Sequence, residues 1–117
     1  TRADSEEGLV AGGEITLFNL ANILKSDSIG SKILREALKA PFKKLLENSG
    51  LEYAEYFKEV KYPMGVDVID GKVKNLIEAG VVDPAKVTRS ALQNACSIAC
   101  QVMTTSCLIT DYVPETK

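Results

Sequence analysis

The sequence predicts a mainly α-helical domain with one small β-hairpin and one short terminal strand. Apolar residues recur at helical spacing over 29–49 and again over 84–106. Asp70-Gly71 stands between short valine-bearing runs, as a hairpin turn would. The closing stretch CLITDYVP alternates apolar and polar residues in the manner of a strand.

Composition bounds the function before any element is placed. An apolar content of 45% in 117 residues suits one globular domain and argues against disorder. With 14 basic and 16 acidic residues and no basic stripe, no nucleic-acid partner is expected. No apolar run approaches the roughly 18 residues of a membrane span, and no charged and apolar leader opens the chain, so no membrane partner is expected either. Histidine is absent, which excludes a Ser-His-Asp triad, an HExxH zinc site and any histidine acid–base step. The chain opens at Thr1 directly in helix-like sequence, as a piece cut from a longer protein would.

The first segment, EEGLVAGGEITLFNLANIL, poses a problem. Leu9, Leu17, Leu20 and Leu24 follow helical spacing, yet Gly8, Gly12 and Gly13 interrupt it, and each interior glycine costs a helix about 1 kcal/mol. Either one continuous helix uses the glycines for close packing, or a helix ends at Glu7 with Gly8 as its cap. In the second reading Leu9-Val10-Ala11 is a connector and Gly12-Gly13 lead into a new helix. Its N–H groups would then be open to a ligand.

A helix over 29–49 follows, with Ile33, Leu34, Ala37, Leu38, Phe42, Leu45 and Leu46 as its apolar stripe, Pro41 inside it and Gly50 closing it. A shorter helix is expected over 52–60. Val66 and Val68 then alternate with Asp67 as a short strand before the Asp70-Gly71 turn, and Asn75 to Ala79 form a helical turn that ends at Gly80. Asp83 is expected to cap the longest helix, with Pro84 as its first residue. Running to Ser106, this helix would span about 34 Å. Its small residues, among them Ser90, Ala91, Ala95, Ser97 and Ala99, imply neighbours packed closely on several sides. A strand over 108–112 would need a partner that the chain does not offer. No repeat, low-complexity run or linker divides the chain.

Three cysteines stand at 96, 100 and 107. Cys96 and Cys100, one helical turn apart, allow a soft-metal or redox pair. The plainer reading makes them small buried apolar residues in a reducing compartment. Zinc would need more ligands than these provide.

Two stretches carry a resemblance. TRADSEEGLVAGGEITL resembles the TRAAVEEG-VVAGGG segment of the group I chaperonins, and GVDVIDGKVKNLIEAGVVDPAKVTRSALQNACSIACQVMTTSCLITDYVP is similar, in order, to a second segment of that family. The match is collinear from Thr1 to Pro114, and the DP-x-KVTRSALQ run followed by a small-residue helix and Thr-Thr is its most specific part. The resemblance implies that residues 1–117 are the C-terminal segment of an equatorial domain, the ATP-binding and ring-forming part of a chaperonin subunit, without the apical and intermediate domains. It implies ATP or ADP with Mg2+ as cofactor, and as partners the other subunits of a homo-oligomeric ring, unfolded proteins and a co-chaperonin. By motif, Gly13 corresponds to a backbone contact near ribose and base. Asp67 and Val68 lie beside the adenine, Val81 packs on the base, and Asp83 binds the ribose hydroxyls. No catalytic residue and no metal ligand carries over, because the phosphate-binding loop and the water-activating aspartate belong to other segments. The segment alone is therefore expected not to hydrolyse ATP. Glu14 stands where the family has a third glycine and Val68 where it has alanine. These departures support the alternative, a helical scaffold domain without nucleotide turnover. The expected location is the bacterial cytoplasm, with an organelle matrix as the other home. The long helix, stripped of the family's other segments, is expected to present an apolar patch prone to self-association.

Overall fold

A computed structural model describes residues 6–105. The expected strand over 108–112 and Cys107 lie outside the described residues. In order, the elements are β1 (Leu9–Ala11), α1 (Ile15–Ile23), α2 (Ile29–Asn48), α3 (Tyr53–Tyr56), β2 (Met64–Asp67), β3 (Lys72–Asn75), β4 (Val82–Pro84) and α4 (Ala85–Thr104). Two antiparallel pairs form, β1 with β4 and β2 with β3.

The interrupted reading of the opening segment holds. Glu6 and Glu7 are helical, and Gly8 leaves them with φ +82°, a left-handed conformation that suits glycine. The three-residue connector is β1, and α1 begins two residues after Gly13. Its inward face is Ile15, Phe18 and Ala21, whereas Leu20 stays 36% exposed, so the leucine spacing marks the wrong face.

Ser28 caps α2 by accepting the Ser31 N–H at 3.1 Å. Arg35 grips the preceding loop, donating to the carbonyls of Leu24 and Ser26 at 2.7 Å each. The helix runs through Pro41 and ends where expected, with Gly50 at φ +73°. Only the second half of the apolar stripe is buried, through Leu38, Phe42 and Leu46, while Ile33 is 65% exposed. Burying side chains of this size stabilises the fold by about 1.5–3 kcal/mol each.

The core joins Ala11, Ile15, Phe18, Phe42, Leu46, Val60, Val66 and Leu76. Phe18 and Phe42 meet at 4.9 Å between ring centroids, with Tyr53 set edge-on to both. The helix expected over 52–60 is one turn only. After Tyr56 the chain tightens through a Glu59 N–H bond to the Tyr56 carbonyl and turns inward to bury Val60.

The hairpin also departs from expectation. Its strand ends at Asp67, and Val68 belongs to a four-residue loop. The Asp67 side chain accepts the Ile69 N–H at 3.0 Å, and its carbonyl accepts the Gly71 N–H at 2.8 Å, which together turn the chain before Asp70. Residues 76–80 form a turn closed by Gly80 at φ +79°, with Asn75 Oδ1 accepting the N–H groups of Ile77 and Glu78.

The largest correction concerns α4. The small residues do not pack closely among the described residues: no residue of this helix is buried, and Cys96 and Cys100 are exposed rather than core. Val87, Ile98, Val102 and Met103 all face solvent. The helix is tied down at its start instead. Arg89 donates to Glu7 through Nε at 3.2 Å and Nη2 at 2.6 Å, and Lys86 pairs with Glu6.

Candidate functional site

Strand β4 brings the end of the irregular region back against β1, in the register Leu9↔Pro84, Val10↔Asp83 and Ala11↔Val82. The ladder continues past both strands. Gly12 N–H donates to the Val81 carbonyl at 2.8 Å, and Ala85 N–H donates to the Gly8 carbonyl at 3.0 Å. The second bond explains why Asp83 is not the helix cap. The first N–H of α4 is satisfied by the opposite strand, Pro84 is the boundary residue, and no side chain caps the helix. Asp83 therefore keeps its carboxylate. That carboxylate is half-buried and has no hydrogen-bond or ion-pair partner among the described residues.

The turn beside it is Gly12-Gly13-Glu14. A Cβ on Gly12 would lie 3.1 Å from the Val81 carbonyl oxygen, so a side chain there would push the two strands apart. Gly13 has φ +63°, and a Cβ on it would lie 2.9 Å from Leu76 Cδ1. Both glycines thus answer to packing, and any contact of Gly13 with a ligand would run through its backbone. Glu14 is left-handed as well, at φ 63°, a strained conformation for a non-glycine residue. Although Glu14 is exposed overall, the protein atoms around its carboxyl strip enough water to push its pKa up, and the charge of Asp83 adds to the rise. Two carboxyl groups thus share this corner.

Leu76 is the hinge between the turn and the hairpin. It is fully buried, its carbonyl accepts the Val81 N–H at 2.8 Å, and its side chain fills the space beside Gly13 and Gly65. The Val66 carbonyl lies 3.6 Å from where a Gly13 Cβ would stand, so Asp67 and Val68 lead away from the same turn. Gly13, Val81 and Asp83 are gathered directly at this corner, while Asp67 and Val68 reach it through Val66.

One residue that sequence reasoning passed over belongs here. Lys74 Nζ lies 3.1 Å from Asp67 Oδ2 and 2.7 Å from Asp70 Oδ2, and both carboxylates hold the ammonium's pKa above the usual lysine value, Asp70 the more strongly. The signal was present as opposite charges placed diagonally across a hairpin. Among the described residues, no group of three or more His, Cys, Asp or Glu side chains could hold a metal ion. No helix among them is long and apolar enough to cross a membrane.

What this corner can do chemically is accept hydrogen bonds from a hydroxyl-bearing ligand at Asp83, next to an apolar wall at Val81. A crystal structure of a group III chaperonin in the open state is similar to the chain, with a TM-score of 0.81 and 27% identity over 92% of this chain. The chain spans 25% of that protein's length. The resemblance rests on an equatorial-domain fold of helices with small two-stranded sheets. The TCP-1/cpn60 chaperonin family matches residues 2–112, nearly the whole sequence, and the chain belongs to that family.

Proposed function

We propose that the chain is the C-terminal segment of an equatorial domain in a group I chaperonin subunit, where it grips the base and ribose of ATP or ADP. One observation carries this reading: the half-buried Asp83 carboxylate has no partner among the described residues, at the edge of the Gly12–Glu14 turn. An ionised carboxylate only accepts hydrogen bonds, and the two hydroxyls of a ribose diol are donors that it could take. Val81 supplies the apolar wall for the base, Gly13 a backbone contact near the ribose, and Asp67 with Val68 the far side of the adenine.

The chemistry that ATP supplies, with its Mg2+, is the free energy of phosphoryl transfer. The metal and the phosphates would be held by segments other than this one, so this chain alone binds and orients without hydrolysing. In the assembled ring, nucleotide binding would bias a two-state rearrangement that closes a chamber over an unfolded protein, with a co-chaperonin as lid. Apical and intermediate domains would belong to the same subunit, working in the bacterial cytoplasm or an organelle matrix.

Glu14 favours a second reading, a scaffold that keeps the fold without nucleotide turnover. Loss of water around its carboxyl, with the Asp83 charge as the smaller cause, raises its pKa, so a second carboxyl group already stands near Asp83. A calorimetric titration with Mg-ADP separates the two. Weak binding that Asp83→Ala weakens about tenfold or more, the value of a hydrogen bond to a charged group, supports the nucleotide reading. Absence of binding at millimolar Mg-ADP overturns it in favour of the scaffold.

A further inference from the structure

We infer that Tyr62 is a positioning residue whose hydroxyl locks the hairpin half of the nucleotide corner to its strand half. The inference rests on the nucleotide reading above and deepens it.

The corner is built from two pieces of chain. Val81 and Asp83 lie beside β1 and the Gly12–Glu14 turn, while Asp67 ends β2 and Val68 follows it. A ring of hydrogen bonds joins the pieces. Gly12 N–H donates to the Val81 carbonyl at 2.8 Å, Val81 N–H to the Leu76 carbonyl at 2.8 Å, and Leu76 N–H to the Pro63 carbonyl at 3.2 Å. Ala11 N–H donates to the hydroxyl oxygen of Tyr62 at 3.2 Å. The ring closes because Ala11 adjoins Gly12, and Tyr62 adjoins Pro63, in the chain. Three of these four links are backbone to backbone, and only the fourth depends on a side chain.

Strand geometry makes that fourth link necessary. Bonds between antiparallel strands alternate along each strand. Gly12 N–H and the Gly8 carbonyl both bond toward β4, so Ala11, opposite Val82, turns its N–H the other way. Ala11 is 1% exposed, which keeps water from that N–H, and the Tyr62 hydroxyl is its partner. Tyr62 itself is 37% exposed, so its hydroxyl can be removed without opening a hole in the core. Without the hydroxyl, a buried N–H is left unpaired, or β1 and the entry to the hairpin separate to admit water. Only the closed form holds base and ribose together, and apparent affinity falls with the fraction of chains that are closed.

The test titrates the 117-residue chain with Mg-ADP, with calorimetry for affinity and amide shifts for the map. Tyr62→Phe should weaken binding about three- to tenfold, the effect of one hydrogen bond. It should also shrink the shifts at Asp67 and Val68 relative to those at Val81 and Asp83. Thr16→Val is the control, because Thr16 Oγ1 donates to the Ala11 carbonyl at 2.9 Å and lies outside the ring. That variant should lower the melting temperature and leave affinity and shift pattern alone, as Tyr62→Phe would if the hydroxyl were merely structural. Hydrogen exchange in the unsubstituted chain adds a measurement that needs no variant: bound Mg-ADP should slow the Ala11 and Leu76 amides at least threefold or so. An unchanged affinity in Tyr62→Phe, or no slowing at Ala11 by bound Mg-ADP, overturns the inference and leaves the nucleotide reading standing. No binding of millimolar Mg-ADP by the unsubstituted chain overturns that reading and the inference with it.

Discussion

The two long helices of this chain, α2 and α4, are equal in length and opposite in circumstance. Both have 20 residues. Helix α2 buries Leu38, Phe42 and Leu46 against α1 and the aromatic cluster, and the core of the molecule is built on its second half. Helix α4 buries nothing among the described residues and is held at its first turns by β4 and the pairs Lys86–Glu6 and Arg89–Glu7. An apolar stripe makes a core only where a second surface meets it. Val87, Ile98, Val102 and Met103 form such a stripe without a covering surface among the described residues. The candidate site lies with the packed half, where the Gly12–Glu14 turn rests on Leu76, and this placement gives its side chains a rigid support.

The contrast breaks most sharply at Phe42. Phe42→Ala removes a ring with no exposure at all, and the cost is expected at about 3–5 kcal/mol, read as a large fall in melting temperature. A smaller effect separates two glutamates by sign. Glu7 has a lowered pKa, chiefly through its hydrogen bonds to Arg89, so its stabilisation is present at neutral pH and is lost as pH falls through that lowered value. Glu14 has a raised pKa, so the folded state holds its proton longer than the unfolded chain, and stability falls as pH rises from the usual glutamate value through the raised one. Glu14→Gln should flatten the second slope and Arg89→Ala the first, in melting curves recorded from acid to neutral pH. At the bottom of the scale, Ile98→Ala on the exposed face of α4 should change stability by no more than about 0.5 kcal/mol. A loss as large as that of Phe42→Ala would mean that α4 is buried, for instance by self-association.

What the sequence disclosed follows the range of the interactions. The ends of α2, the glycine break before β1 and the existence of the hairpin rest on neighbours within a few residues, and all were legible. The pairing of β1 with β4 was not, because Val10 and Asp83 are joined by a ladder of three residues on each side, too short for periodicity to reveal. That missed pairing also misplaced Asp83, whose sequence context reads as a helix cap. The small residues of α4 read as a sign of close neighbours, and no neighbour stands against them among the described residues. The candidate residues Gly13, Asp67, Val68, Val81 and Asp83 came through the family resemblance rather than through spacing. Lys74 needed no resemblance, only a search for opposite charges across the hairpin.

The central claim, that the corner around the Gly12–Glu14 turn holds the base and ribose of a nucleotide, is tested most directly by mapping amide shifts of the chain as Mg-ADP is added. The account predicts that the largest changes fall on Gly13, Asp67, Val68, Val81 and Asp83, with α4 unmoved. Changes centred on the apolar face of α4, or none anywhere at saturating nucleotide, would contradict it.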